Sequence, residues 1–368
     1  MSKAGSPPPK VTIAEVAKLA GVSTATAGRA LGNYGYVSEY IRLKVRDSAE
    51  RLGYRPNLLA RGLITGKTGT IGVVAGDIQS PFYASILRGI SDEARSEGFG
   101  VILTNSDEIL ERELDAVRLL REKQVDGLIV APCDTEGSEH LRRAVKEGLP
   151  IVQFDRAVEG LPAAIVMVNN REISRHATAS LIASGHRRIA IIAELERWNR
   201  GDLLDFIEAV RRQTIKPDVL FPSWQRLFGF IEAHIAAGLE IDLGLIGRVG
   251  TYSFAATRTR TRALLSGPDR PTALFTADGL MTAAAIDAIT EMSIAIPEQL
   301  SLIGFDNLDW MGFVKPGITA IAQPVMEMGK AAARLMLDAL ANNTKPSDQI
   351  VLQASLVWRG SVMPPQPL

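Results

Sequence analysis

Four side chains in the stretch VTIAEVAKLAGVSTATAGRAL, residues 11–31, have the chemistry to read DNA: Thr24, Ala25, Thr26 and Arg29. An arginine can grip guanine O6 and N7 with two hydrogen bonds, and a threonine or alanine methyl can pack on the thymine methyl. No comparable set supports catalysis. The four histidines, His140, His176, His186 and His234, fall in no metal-spaced pair, and neither GxSxG nor GxGxxG occurs, so the reading is not an enzyme and calls for no cofactor and no metal. His186, in SGHRRIA, reads as a helix-to-strand turn residue. GLITGKT, residues 62–68, imitates a phosphate-binding loop, but Gly62 and Gly66 enclose three residues where four are needed, and a helix rather than a strand precedes them. The single cysteine, Cys133, has no partner for a disulfide and reads as a small buried residue of a reducing compartment.

Presenting Thr24 to Arg29 on one face requires two short helices and a tight turn. Ile13, Val16, Ala17 and Ala20 share a helical face, Gly21 can end that helix in a left-handed conformation, and Ser23 is placed to cap the next. Ala14, Ala17 and Ala27 are small enough to let the helices approach closely. This is a helix-turn-helix pattern. A third amphipathic helix is predicted from about Glu39 to Leu52, with Ile41, Val45, Ala49 and Leu52 inward. In GYRPNLLARGL, Arg55 precedes a proline and should be extended; Asn57 can then cap a short turn through Leu63 that Gly62 weakens. That segment reads as a hinge helix that forms when two copies pack on DNA.

The charge distribution agrees with this reading. Residues 1–68 hold 11 Lys and Arg against 4 Asp and Glu, a balance of +7, while the whole chain is neutral. A basic head on an acidic body suits a protein whose one end meets phosphates. A chain of 368 residues with 46% apolar content has material for more than one core. The segments expected are an unstructured tail at 1–9, the helix-turn-helix domain at 10–55, a hinge helix and linker at 56–68, and a ligand-binding and dimerisation body at 69–363. The start MSKAGSPPPK lacks the apolar stretch of a signal peptide and no long uncharged apolar run follows, so a cytoplasmic protein with no membrane association is expected.

From Thr70 the pattern changes to short apolar runs alternating with helical stretches. TIGVVA, GVILTN, DGLIVA and PIVQF read as one series of strands, and RRIAIIA, RVGTY, TALFTA, LSLIGF and TAIAQP as a second. Two β-α-β series indicate an α/β body of two doubly wound lobes with parallel sheets, beside the all-α head. Ligands bind such folds at the carboxyl ends of strands, and the cleft between lobes is the default site.

Through VTIAEVAKLAGVSTATAGRAL, YVSEYIRLKV, LGYRPNLLARGL and IPEQLSLIGFDN, in that order, the chain closely resembles the LacI/GalR family of bacterial regulators. The resemblance implies a periplasmic-binding-protein-like body and a homodimer on a pseudo-palindromic double-stranded operator. It places Thr24, Ala25 and Arg29 at bases, and Ser23, Thr26, Asn33, Tyr36, Ser38 and Asn57 around the phosphate backbone. Leu63 matches the leucine that family members insert into the minor groove, a wedge that kinks the duplex. One departure is Ala27-Gly28 where the family usually has Val-Ser: a phosphate-contacting hydroxyl is lost and a glycine enters the recognition helix, costing about 1 kcal/mol of helix preference.

For the body, the resemblance implies that Phe82 and Tyr83, in Ser80-Pro81-Phe82-Tyr83, stack on a ligand ring or belong to the core. It implies contact for Asp155, Arg226 and Asp278 with a small-molecule effector: a sugar, sugar acid or sugar phosphate. Asp155 and Asp306, before Arg156 and Asn307, fit hinge or capping roles equally well. The family's Asn-Asp is here Ala277-Asp278. The stretch from His186 to Arg226 is about twenty residues longer than in family members, and DLLDFIEA within it is a degenerate likeness of RLFGFIEA, so Arg200 competes with Arg226 for the cleft. The extra segment reads as an amphipathic helix with a loop that lids the cleft or extends a dimer contact. No heptad-rich extension follows VWRGSVMPPQPL, which favours a dimer over a tail-linked tetramer. The expected function is a transcription regulator, a repressor by preference, whose operator affinity is set by effector-driven lobe closure. A solute-binding protein for a carbohydrate is the alternative that the body alone would suit.

Overall fold

The computed structural model describes residues 11–32, 35–54, 67–195 and 201–366. Two compact units divide between Gly69 and Thr70.

The first unit is built on α1 (Ile13–Ala20), α2 (Thr24–Gly32) and α3 (Glu39–Arg51). Thr12 and Glu15 close a reciprocal cap at the start of α1, with Thr12 N donating to Glu15 Oε2 at 2.7 Å. Gly21 ends the helix at φ 65°, a conformation glycine adopts without strain, and Ser23 Oγ accepts from Thr26 N at 3.1 Å to start α2. The core is made of small side chains: Ala17, Ala20, Ala27, Ala30 and Ala49 close around Val16 and Val45. Ile41 of α3 and Leu52, just after that helix, pack against this core as expected. The hinge helix expected at 56–68 lies almost wholly outside the described residues.

The second unit carries two six-stranded sheets. Lobe 1 orders its strands β11-β5-β4-β3-β1-β2 and lobe 2 orders them β12-β10-β9-β8-β6-β7. In lobe 1 these are β1 (Thr70–Ala75), β2 (Gly100–Asn105), β3 (Gly127–Val130), β4 (Ile151–Phe154), β5 (Ala164–Val168) and β11 (Gln349–Leu352). Lobe 2 uses β6 (Ile189–Ala193), β7 (Ile246–Arg248), β8 (Ala273–Thr276), β9 (Ser301–Phe305), β10 (Thr319–Ala322) and β12 (Ser355–Val357). Central strands such as β4, β5, β6 and β9 are buried along their whole length, because helices cover both faces of a parallel sheet.

The two doubly wound lobes with parallel sheets are as expected, and each sheet gains one further edge strand that the sequence reading did not pick out. The last strand of each sheet comes from the C-terminal end of the chain, and β12 runs antiparallel to β10. The backbone therefore passes between lobes three times, near residues 168–170, 322–325 and 352–355. RVGTY also differs from expectation: β7 ends at Arg248, and Thr251 and Tyr252 lie in the loop beyond it.

Lobe 1 is held to its last helix by a close helix pair, α4 (Pro81–Ser96) and α13 (Val325–Asn342). A Cβ on Gly329 would overlap the Ile86 carbonyl oxygen, and one on Gly89 would overlap that of Met326, so both positions need glycine for the backbones to meet. Cys133 is buried, its thiol pushed up to about 12 chiefly by desolvation, and donates to Ser106 Oγ at 3.2 Å. His186, between α7 (Asn170–Ala183) and β6, is buried and bonds Thr272, Ser301 and the Met363 carbonyl; burial lowers its pKa, against a smaller opposing pull from the Met363 carbonyl. No helix among the described residues is long and apolar enough to cross a membrane.

The extra segment forms α8 (Leu203–Arg211), which buries Phe206, Ile207 and Val210. Phe206 packs on Trp224 of α9 (Pro222–Ala236) with ring centroids 4.7 Å apart, so the helix belongs to the lobe 2 core. The chain leaving it brings Phe221, Pro222 and Ser223 to the wall of the cleft. Arg200 lies outside the described residues.

Candidate functional site

On the head, α2 buries Ala27 and Ala30 and turns Thr24, Ala25 and Arg29 outward. Thr26 is half-buried, its hydroxyl 2.8 Å from Ser23 Oγ, so the cap also orients the first turn of the exposed face. Tyr36 is 94% exposed. Ser38 begins α3 without using its hydroxyl as a cap, leaving that oxygen outward. Apart from half-buried Thr26, these candidate helix-turn-helix side chains are exposed to solvent. Asn33, Asn57 and Leu63 lie outside the described residues.

Within the second unit, a cavity of about 520 Å³ opens between the lobes. Its walls come from the carboxyl ends of strands: Asp77 after β1, Asp107 and Glu108 after β2, Asp155 after β4, Glu194 after β6, Tyr252 after β7 and Asp306 after β9. Phe82, Tyr83, Asp155, Arg226 and Asp278 all reach this cavity. They differ in what remains available to a ligand.

Phe82 is half-buried and stands edge-to-face on Tyr83, centroids 5.2 Å apart. Tyr83 is a core residue with its tip in a charged cluster. Its hydroxyl donates to Glu108 Oε1 at 2.6 Å and accepts from Arg156. Arg156 is only 2% exposed, bonds both oxygens of Glu108 at 2.6 and 2.8 Å, and lies 3.2 Å from Asp155. Burial opposes its charge, but the surrounding carboxylates outweigh that and hold it firmly protonated. The Phe221 ring, from lobe 2, covers its guanidinium at 4.2 Å. Arg156 is thus a structural cation that spreads Glu108 and Asp155 along the wall. Burial raises the pKa of Asp155, partly offset by Arg156 and Arg226.

Arg226 is 7% exposed and rests over the Phe305 ring at 3.9 Å. Its Nε donates to Asn170 Oδ1 at 2.9 Å and its Nη1 to the Ala277 carbonyl. Two of the five guanidinium N–H donors are therefore already engaged within the protein. Asp278 caps α11 (Gly279–Glu291), its Oδ1 accepting from Met281 N at 2.8 Å. Burial pushes its carboxyl up to about 7; Asp306 and Glu194 push the same way, while the Met281 bond and Arg226 pull it down. Asp306, left-handed at φ 76°, uses both oxygens internally, accepting from Gly279 N at 2.7 Å and from Gln323 Nε2 at 2.6 Å. Its role is positioning: it ties the helix of Asp278 to a lobe crossover.

Sequence reasoning missed Asp77, Glu108, Glu194, Ser223, Tyr252 and Gln323 as cleft residues. Five of them follow a strand end, and the rule that ligands sit at those ends would have singled them out. Ser223 follows no strand and had no comparable signal. Among the described residues no group of His, Cys, Asp and Glu is arranged to hold a metal ion.

Comparison with known proteins gives this geometry its context. A model described as bacterial regulatory proteins, lacI family, matches residues 12–57; one for periplasmic binding proteins and sugar binding domain of LacI family matches 68–198; a periplasmic binding protein-like domain matches 178–362. Catabolite control protein A of Priestia megaterium is 31% identical over 95% of this chain and 99% of its own. The transcriptional repressor CytR of Escherichia coli K12 is 30% identical over 95% and 96%. Among solved structures, the lac repressor dimer bound to operator and an anti-inducer matches in fold with a TM-score of 0.78, at 24% identity over 96% of this chain and all of that one. A complex of the regulator CelR with cellobiose matches at 28% identity and a TM-score of 0.66, over 96% of this chain and all of its own. A helix-turn-helix head on a two-lobed ligand-binding body defines a DNA-binding transcription regulator with an effector domain. The chain belongs to the LacI family of bacterial regulatory proteins, and these relatives are regulators of transcription rather than enzymes.

Proposed function

We propose that this chain is a homodimeric repressor that releases a pseudo-palindromic operator when a sugar-like metabolite closes the cleft. Thr24, Ala25 and Arg29 read base edges, with Ser23, Thr26, Tyr36 and Ser38 on the phosphates. Asn33 and Asn57 join the backbone set, and Leu63 is the minor-groove wedge. In the body, Phe82 stacks on the ligand, while Asp278, Asp155 and the remaining donors of Arg226 bind its polar groups.

The observation that carries this reading is the cavity itself, to which both lobes bring hydrogen-bonding side chains, on a chain that also presents a helix-turn-helix. A ligand touching both lobes binds the closed arrangement better than the open one, and only such differential affinity can shift a conformational equilibrium. The cellobiose complex of CelR and the Enterococcus faecium regulator with bound ribose, 26% identical with a TM-score of 0.66 over 81% of this chain and all of that one, support a carbohydrate ligand. The dimer belongs to the reading because one head buries too little surface for useful specificity.

The test is recovery of genomic DNA fragments bound by the purified protein, followed by release assays with candidate metabolites. A shared pseudo-palindrome whose affinity one compound lowers is the expected result. Fragments with no common sequence, or an affinity that no sugar-like metabolite lowers, would refute it.

A further inference from the structure

Building on that reading of the cleft, we infer that the effector is a donor-rich polyhydroxyl compound of zero or positive charge, and that the site rejects phosphorylated and carboxylated sugars. The inference concerns what the walls still lack. Gln323 is 9% exposed; its Nε2 is committed to Asp306, and its Oε1 is buried with no hydrogen-bond partner. Ser223, 8% exposed, also has a buried hydroxyl without a partner. Both line the cavity, and a buried acceptor such as Gln323 Oε1 asks its ligand for an N–H or O–H.

The charged groups make the same demand. Carboxylates outnumber arginines on the lining among the described residues, and Arg156 is walled in by Glu108 and Asp155. Arg226 is the one arginine on that lining among the described residues, and two of its five N–H donors, at Nε and Nη1, are already spent within the protein. A phosphate or carboxylate brings several acceptors and a negative charge, so it would face Asp278 and Asp155 across a desolvated gap with little to compensate. A hydroxyl donates to the same oxygens, and a protonated amine gains from their charge as well.

Isothermal titration of the full chain with four matched series tests this: neutral aldoses, their 2-amino derivatives, their terminal phosphates and their uronic acids. Binding confined to the neutral and amino series, and weakened about tenfold or more by Asp278→Asn or Gln323→Leu, is the expected result. A phosphate or uronate that binds as tightly as its neutral parent, with binding still lost in Asp278→Asn, overturns the charge inference while leaving the cleft as the effector site. Binding that neither variant weakens moves the effector elsewhere and overturns both. Absence of binding in all four series excludes the polyhydroxyl class and the inference with it.

Discussion

Replacing Asp278 with asparagine removes a charge and keeps a cap, since asparagine serves at helix starts as well as aspartate does. The wild-type carboxyl is pushed up to about 7 mainly by burial, against an ordinary value of 3.8. A folded-state pKa above the unfolded one means that the folded carboxyl holds its proton more tightly. The resulting stability is complete in acid, below the unfolded value, and is lost as pH rises through about 7. At 1.36 kcal/mol per pH unit the full difference approaches about 4 kcal/mol; the half-buried position lets solvent screen part of it, leaving about 2 kcal/mol. The asparagine variant has no proton to lose. Urea unfolding of the full chain at about pH 4.5 and about pH 8, following the body transition, should therefore show the variant gaining about 1.5 kcal/mol on the wild type between the two conditions, the rest being already lost at pH 4.5. An equal difference at both pH values would refute the argument, because it would mean that the carboxyl is solvated and ordinary.

Three further outcomes follow from the geometry. Arg29→Ala should lower discrimination between operator and random DNA by about 1–3 kcal/mol in competition binding, with an unchanged melting temperature. Gly28→Ala, in the middle of α2, should stabilise that helix by about 1 kcal/mol, read as slower amide hydrogen exchange across Thr24–Gly32 in the full chain. Gly329→Ala forces α4 and α13 apart at the Ile86 carbonyl and should cost about 1–3 kcal/mol in thermal unfolding, with no change in the exchange of the head.

The head was the most legible part of the chain because its signals are local. Thr12, Gly21 and Ser23 mark helix ends within a few residues, and the alanines that bury are spaced on their own helices. Strands with long apolar runs, such as RRIAIIA and LSLIGF, were equally plain. β11 escaped notice since QIVL is an edge strand, alternately exposed and half-buried, and looks like ordinary surface. β12 is three residues long and has even less pattern. In the cleft, aspartates after strands were visible, yet their functions depend on distant partners. Nothing near Arg226 announces that Asn170 and the Ala277 carbonyl will occupy its donors, and nothing near Arg156 announces the cage of Tyr83, Glu108 and Phe221. Sequence position reveals which atoms arrive at a strand end. Their remaining hydrogen-bonding capacity is set by tertiary structure.

The late origin of β11 and β12 has a consequence for the growing chain on the ribosome. The first five strands of lobe 1 emerge in order, but β5 keeps an unpaired edge until residues 349–352 arrive, and β10 has a much shorter wait for residues 355–357. The α13 helix that covers lobe 1 follows β6 to β10 of the other lobe, so the Gly89 surface of α4 stays bare until those strands have been made. Neither lobe can finish before residues 349–357 are made, and both become complete within a few residues of each other. The body thus matures as one cooperative event, and a chain interrupted before β11 is left with two open sheet edges, the kind of surface that recruits other strands.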